Sequence, residues 1–122
     1  KISKEFSLNY AHRIVGHEGL CKFIHAHLGV VIVSITGTEL NNLGMVLDFK
    51  DLKNIVNEHI IDIYDHSTIL RAVPFNPTAE NFASEFCHVI AEELEEKYKH
   101  IRKVYVKVYE TPSSSAEYFL HI

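Results

Sequence analysis

The 122 residues suit one domain with a core of its own, and at 47% hydrophobic and 23% charged the composition is that of an ordinary globular protein. The formal charge of −4 comes with twelve Lys and Arg that are scattered, not gathered into a stripe, which argues against a nucleic-acid surface and for a small-molecule ligand. Cys21 and Cys87 make no disulfide framework, no signal-peptide pattern opens the chain, and the longest apolar run, Leu28–Ile35, is far short of a membrane span, so a reducing cytoplasmic setting is expected.

Residues 2–12 alternate, with Ile2, Phe6, Leu8, Tyr10 and His12 on one parity, and predict a strand. Residues 27–37 predict a second strand, rich in β-branched side chains and closed by Gly37, which pairs antiparallel with the first. Residues 38–47, with Asn41-Asn42 and Gly44, form a connection. Asp48 is a candidate N-cap for an amphipathic helix carrying Phe49, Leu52, Val56, Ile60 and Ile63 on its buried face and fading near Asp62–Asp65. After an irregular run to Pro77, Thr78 caps a second helix with Ala79, Ala83, Phe86, Ile90 and Leu94 buried; Cys87 is a small core residue and His88 a partly exposed one. The glutamates from Glu92 to Glu96 read as a solvated face paired with Lys97 and Lys99. Val104, Val106 and Val108 define a third strand in which Glu110 continues the inward parity, and a turn at Pro112–Ser114 leads to a last strand, about Ala116–His121. The order predicts an α+β fold, a four-stranded antiparallel sheet with two helices on one face, in a single domain spanning 1–122. The uncovered face, with Val30 and Ile32, calls for oligomerisation.

The chemistry concentrates between His12 and His27, where four of the nine histidines fall together with Cys21. On an extended segment His25 and His27 leave one face, and His12 projects from the apolar side of its own strand, so the three can meet as ligands. A lone histidine on an apolar face is more often a core residue, but a His-x-His pair backed by a third strand histidine favours chelation. Three neutral imidazoles suit zinc and leave one coordination position open. His17, in the loop Gly16-His17-Glu18-Gly19, is read as a loop residue. Cys21 is a candidate base or nucleophile; the alternative, a fourth structural ligand, would need the unusual spacing Cys-x3-His-x-His. Asp65-His66 is a candidate acid–base pair, and Glu110 is either a strand-end carboxylate facing solvent or an acceptor for the paired N–H donors of a heterocycle.

Taken together, His12, Cys21-x3-His25-x-His27, Gly44-Met-Val-Leu-Asp-Phe49, Asp65-His66, Pro77-Thr-Ala-Glu-Asn81 and Glu110-Thr-Pro112 resemble the 6-pyruvoyl-tetrahydropterin and 6-carboxytetrahydropterin synthase family nearly end to end. The closing Glu-Thr-Pro-Ser-Ser-Ser-Ala-Glu-Tyr118 is similar to the bacterial branch that makes 6-carboxytetrahydropterin on the way to queuosine. The resemblance implies a tunnelling fold whose subunits join their sheets into a barrel, usually a homohexamer of two trimers with pterin sites between subunits. It implies a lyase acting on 7,8-dihydroneopterin triphosphate, with loss of triphosphate and, in the bacterial branch, acetaldehyde. By motif, His12, His25 and His27 hold Zn2+, Cys21 accepts the proton, Asp65 and His66 relay protons, Glu110 anchors the pterin, and Thr78 and Glu80 line the pocket. A 6-pyruvoyl-tetrahydropterin synthase on the same substrate and a non-catalytic metal- or pterin-binding module are the rival readings. Ala26, Leu28-Gly29 and Ile69-Leu70 depart from the family pattern beside the site.

Overall fold

The computed structural model describes residues 1–12, 16, 18–19, 25–65, 67–68 and 74–122, with backbone alone for 11–12, 25–28 and 67–68. Strand β1 (Ile2–His12) pairs antiparallel with β2 (His25–Gly37) in an unbroken register from Ile2 opposite Ile35 to His12 opposite His25. On its other side β2 pairs antiparallel with β4 (Ile101–Thr111), which forms a hairpin with β5 (Ser114–His121). These are the four expected strands. β2 begins two residues before, and β5 about two before, their predicted starts. A fifth strand, β3 (Ser67–Thr68), lies parallel to β1 beside Tyr10 and Ala11, giving the order β3-β1-β2-β4-β5. Two residues are too few to show a period, so the sequence carried no sign of it.

Alternation decides the faces. Phe6, Leu8 and Tyr10 of β1, Val31, Val33 and Ile35 of β2, and Val104, Val106 and Val108 of β4 are buried on the helix-covered side. Val30 and Ile32 lie half-buried on the opposite side, beside a hollow of about 310 Å3 also lined by Glu5, Tyr109, Thr111 and Pro112. Among the described residues no helix covers that face.

Helix α1 (Phe49–Val56) starts at Asp48, whose Oδ1 accepts the Lys50 N–H at 2.8 Å, and runs through a π-helical stretch (Asn57–Ile61) into α2 (Asp62–Tyr64). The buried stripe is Leu52, Val56, Ile60 and Tyr64, each four residues on, with Ile55 buried beside it. Phe49 and Ile63, expected inside, are 50% and 52% exposed. For Ile63 the cause is the wider turn before it: i→i+5 hydrogen bonds slow the rotation per residue, so Tyr64 follows Ile60 to the core where a pure α-helix would bring Ile63 partly round; Phe49 is the first residue of α1, ahead of that stretch.

Helix α3 (Ala79–Lys97) is capped by Thr78, whose hydroxyl accepts the Asn81 N–H at 3.1 Å, and buries all five expected residues together with Phe82, Cys87 and Ala91. His88 is exposed, its ring 5.4 Å from that of Tyr118. Lys97 pairs with Glu93 at 3.3 Å, in keeping with a solvated acidic face. Phe82 sits at the centre of an aromatic cluster with Tyr10, Tyr64, Phe75 and Phe86 at ring distances of 5.2–6.0 Å. This cluster ties the start of α3 to the Tyr10 end of the sheet, where the chemically interesting residues gather. Among the described residues, no helix is long and apolar enough to cross a membrane.

Candidate active site

The β1–β2 register organises the site. His12 stands directly opposite His25, and Tyr10 opposite His27. Because cross-strand partners and residues two apart share a face, His12, His25 and His27 occupy positions on the same side of the sheet as Tyr10, at one end of the ladder. For these three histidines the structure describes the backbone alone, and Cys21, His17 and His66 lie outside the described residues. The backbone positions fit a chelating trio: two ligands on facing residues and a third one pleat along, all bearing the neutral nitrogen donor that zinc accepts. Among the residues whose side chains are described, no group of three His, Cys, Asp or Glu could hold a metal.

Asp65 ends the helical run and turns extended. Its Oδ1 accepts the Asn9 N–H at 2.7 Å, so the carboxylate is fastened to the outer edge of β1 one residue from Tyr10. Ser67 then registers with Tyr10, so Asp65 and Ser67 both stand at the histidine end of the sheet.

Glu110 occupies the last inward position of β4, half-buried, after Val104, Val106 and Val108. It stands where the pairing of β4 with β5 shifts register, between Tyr109 and Thr111. Its charge, after burial itself, raises the Tyr10 phenol far above the ordinary tyrosine value, which puts Glu110 within electrostatic reach of Tyr10 across β2. Thr78 is half-buried and occupied as a helix cap, and Glu80 is exposed on the first turn of α3. Both lie at the end of α3 that packs on Tyr10 through Phe82.

Tyr10 is the residue that sequence reasoning underused. In the sequence it is one apolar position of a strand, and its parity with His12 is the signal that puts it on the histidine face. Its neighbourhood explains Gly29 as well. A Cβ at Gly29 would stand 2.9 Å from the Tyr109 carbonyl oxygen, 3.3 Å from that of Leu8 and 3.5 Å from the Tyr10 ring.

A sheet with helices on one face, with three histidine positions and a carboxylate towards one end of it, defines an α+β domain whose candidate site lies at that rim. The family model described as 6-pyruvoyl tetrahydropterin synthase matches residues 1–120, and the chain belongs to that family. The 6-carboxy-5,6,7,8-tetrahydropterin synthase of Haemophilus influenzae is 35% identical over 143 aligned positions that cover 97% of each chain. That of Rickettsia felis is 29% identical over 136, covering 96% of this chain and 98% of its own. The solved structure of Plasmodium falciparum 6-pyruvoyl tetrahydropterin synthase superposes with a TM-score of 0.80 at 21% identity, covering 99% of this chain and 97% of that one, which shows a shared fold. The protein is thus an enzyme of the tetrahydropterin synthase type, a lyase.

Proposed function

We propose that the protein converts 7,8-dihydroneopterin triphosphate and water to 6-carboxy-5,6,7,8-tetrahydropterin, releasing triphosphate and acetaldehyde, with Zn2+ held by His12, His25 and His27. The observation that carries this reading is the register that aligns the three histidine positions on one face, with Glu110 at the same end of that face. The near full-length likeness to relatives named for the 6-carboxy product supports the choice of product.

Bound there, zinc would act as a Lewis acid on the side-chain oxygens of the substrate and make the neighbouring carbon-bound protons easier to remove. Cys21 takes such a proton as thiolate. Asp65, fixed by the Asn9 N–H, orients His66, which returns protons and lets the thiol turn over. Glu110 accepts two parallel N–H donors from the pterin ring and so sets the side chain over the histidine row. Thr78 and Glu80 line the same pocket. The subunits assemble through their uncovered sheet faces and edges into a homohexamer of two trimers, in the cytoplasm, and the product feeds queuosine synthesis.

Incubation with 7,8-dihydroneopterin triphosphate, followed by product mass and an acetaldehyde assay, tests the reading. One acetaldehyde per product supports it. A product that keeps all side-chain carbons makes the enzyme a 6-pyruvoyl-tetrahydropterin synthase. Tight pterin binding with no product makes it a binding module and refutes the lyase chemistry.

A further inference from the structure

We infer that Tyr10 is a specificity-determining residue of the pterin pocket, reaching from β1 across Gly29 to the Glu110 carboxylate on β4. The inference deepens the proposed role of Glu110 as the pterin anchor and rests on it.

Three observations meet here. Tyr10 is only 3% exposed, and its hydroxyl oxygen is buried, although it sits at the polar, histidine-bearing end of the sheet. The strand between it and Glu110 carries glycine at the crossing point: Gly29 is level with Leu8 of β1 and adjoins Tyr109 of β4, and a Cβ there would already be 3.5 Å from the Tyr10 ring. β1 and β4 are two strand spacings apart, roughly 10 Å, and a side chain on either can approach the other only where the strand between them presents little bulk. The ring is also held from above, edge-on to Phe82 of α3 at 5.6 Å, so it is not free to swing toward solvent. Tyr10 is thus held beside Gly29 and under Phe82, on the β1 side of the gap that β2 leaves towards Glu110.

The chemistry follows from what each group offers. A carboxylate that accepts two N–H donors from a pterin still has acceptor sites left on both oxygens, while a phenol has one O–H to donate. The Tyr10 hydroxyl directed at Glu110 biases the carboxylate toward the plane in which it meets the ring, and the aromatic face of Tyr10 closes the pocket wall that a side chain at position 29 would otherwise form. A heterocycle with the paired donors of a pterin gains from this arrangement. One without them gains nothing.

A double-mutant cycle on the full-length, metal-loaded protein tests it, with Tyr10→Phe, Glu110→Gln and both together. The probe is 7,8-dihydroneopterin, which lacks the triphosphate, and its Kd is read by fluorescence alongside KM and kcat for the full substrate. Tyr10→Phe keeps the ring and the packing against Phe82, so the thermal midpoint serves as the folding control. The expected result is a Kd and KM raised about 10-fold, the lower end for a hydrogen bond to a charged group, with kcat little changed. In the Glu110→Gln background the same substitution should then have little further effect. A Tyr10→Phe protein with unchanged Kd, or one equally weakened in both backgrounds, overturns the inference and leaves the anchor role of Glu110 standing. Unchanged affinity in Glu110→Gln alone overturns the anchor role, and this inference with it.

Discussion

Replacing Gly29 by alanine adds one methyl group at the most crowded point of the central strand. The added carbon would lie 2.9 Å from the Tyr109 carbonyl oxygen and 3.3 Å from that of Leu8. Both neighbours are backbone atoms of strands hydrogen-bonded to β2, one on each side, so moving away from one tightens the other. The Tyr10 ring, at 3.5 Å, is in ordinary contact and is not the obstacle. Overpacking of this kind costs about 1–3 kcal/mol. For 122 residues the entropy of unfolding is about 0.26 kcal/mol/K, so the thermal midpoint should fall by about 4–12 °C. Relief must come from Tyr109 and therefore shifts Glu110, the next residue, so affinity for 7,8-dihydroneopterin should fall with stability. Differential scanning calorimetry at one fixed protein concentration is the assay. Adding Tyr10→Ala should not restore the midpoint, because the clash is with backbone. A Gly29→Ala protein that melts with the wild type, or one rescued by trimming Tyr10, would refute the packing argument.

His25→Ala and His27→Ala should each strip zinc and activity together, as measured by elemental analysis and turnover, whereas Cys21→Ala should keep its zinc and lose about 10²- to 10⁴-fold in rate, the usual worth of a general acid–base group; loss of zinc from Cys21→Ala would make the thiol a structural ligand. If Cys21 of one subunit works opposite Asp65-His66 of a neighbour, Cys21→Ala and His66→Ala proteins unfolded and reassembled together should recover activity that neither has alone, with about a quarter of sites intact for random symmetric mixing. Mixed oligomers as inactive as their parents would confine both residues to one chain. The Cys87 thiol donates to the Val104 carbonyl at 3.4 Å inside the core, and burial pushes it up to about 11 from 9.0. In the Cys21→Ala background a thiol reagent at pH 8 should therefore label only unfolded protein. The folded state favours the protonated thiol, so this contribution to stability is complete below pH 9 and is lost as pH rises toward about 11. Rapid labelling of the native protein at pH 8 would contradict the burial.

Much of this was legible from residue order alone. Strand alternation placed Phe6, Leu8, Val31, Val33, Val104 and Val106 inside and carried Glu110 inward with them, because the side-chain period of a strand is local geometry and needs no knowledge of the partner. Capping by Asp48 and Thr78 was equally local, since each side chain bonds an amide two or three residues on. The histidine motif was visible as a cluster in sequence. What the order of residues could not supply was everything that depends on spacing changed by a neighbour or on strands brought together. The π-helical stretch exchanged Ile63 for Tyr64 in the core, an outcome that a helix of constant pitch does not anticipate. The placing of His12 opposite His25 and of Ser67 beside Tyr10 is a matter of register between distant segments. The link from Tyr10 over Gly29 toward Glu110 joins residues 100 positions apart, and it exists because β2 lies between their strands and carries no side chain where they cross. Local periodicity decides which face a residue takes; only the pairing of strands decides whom it meets there.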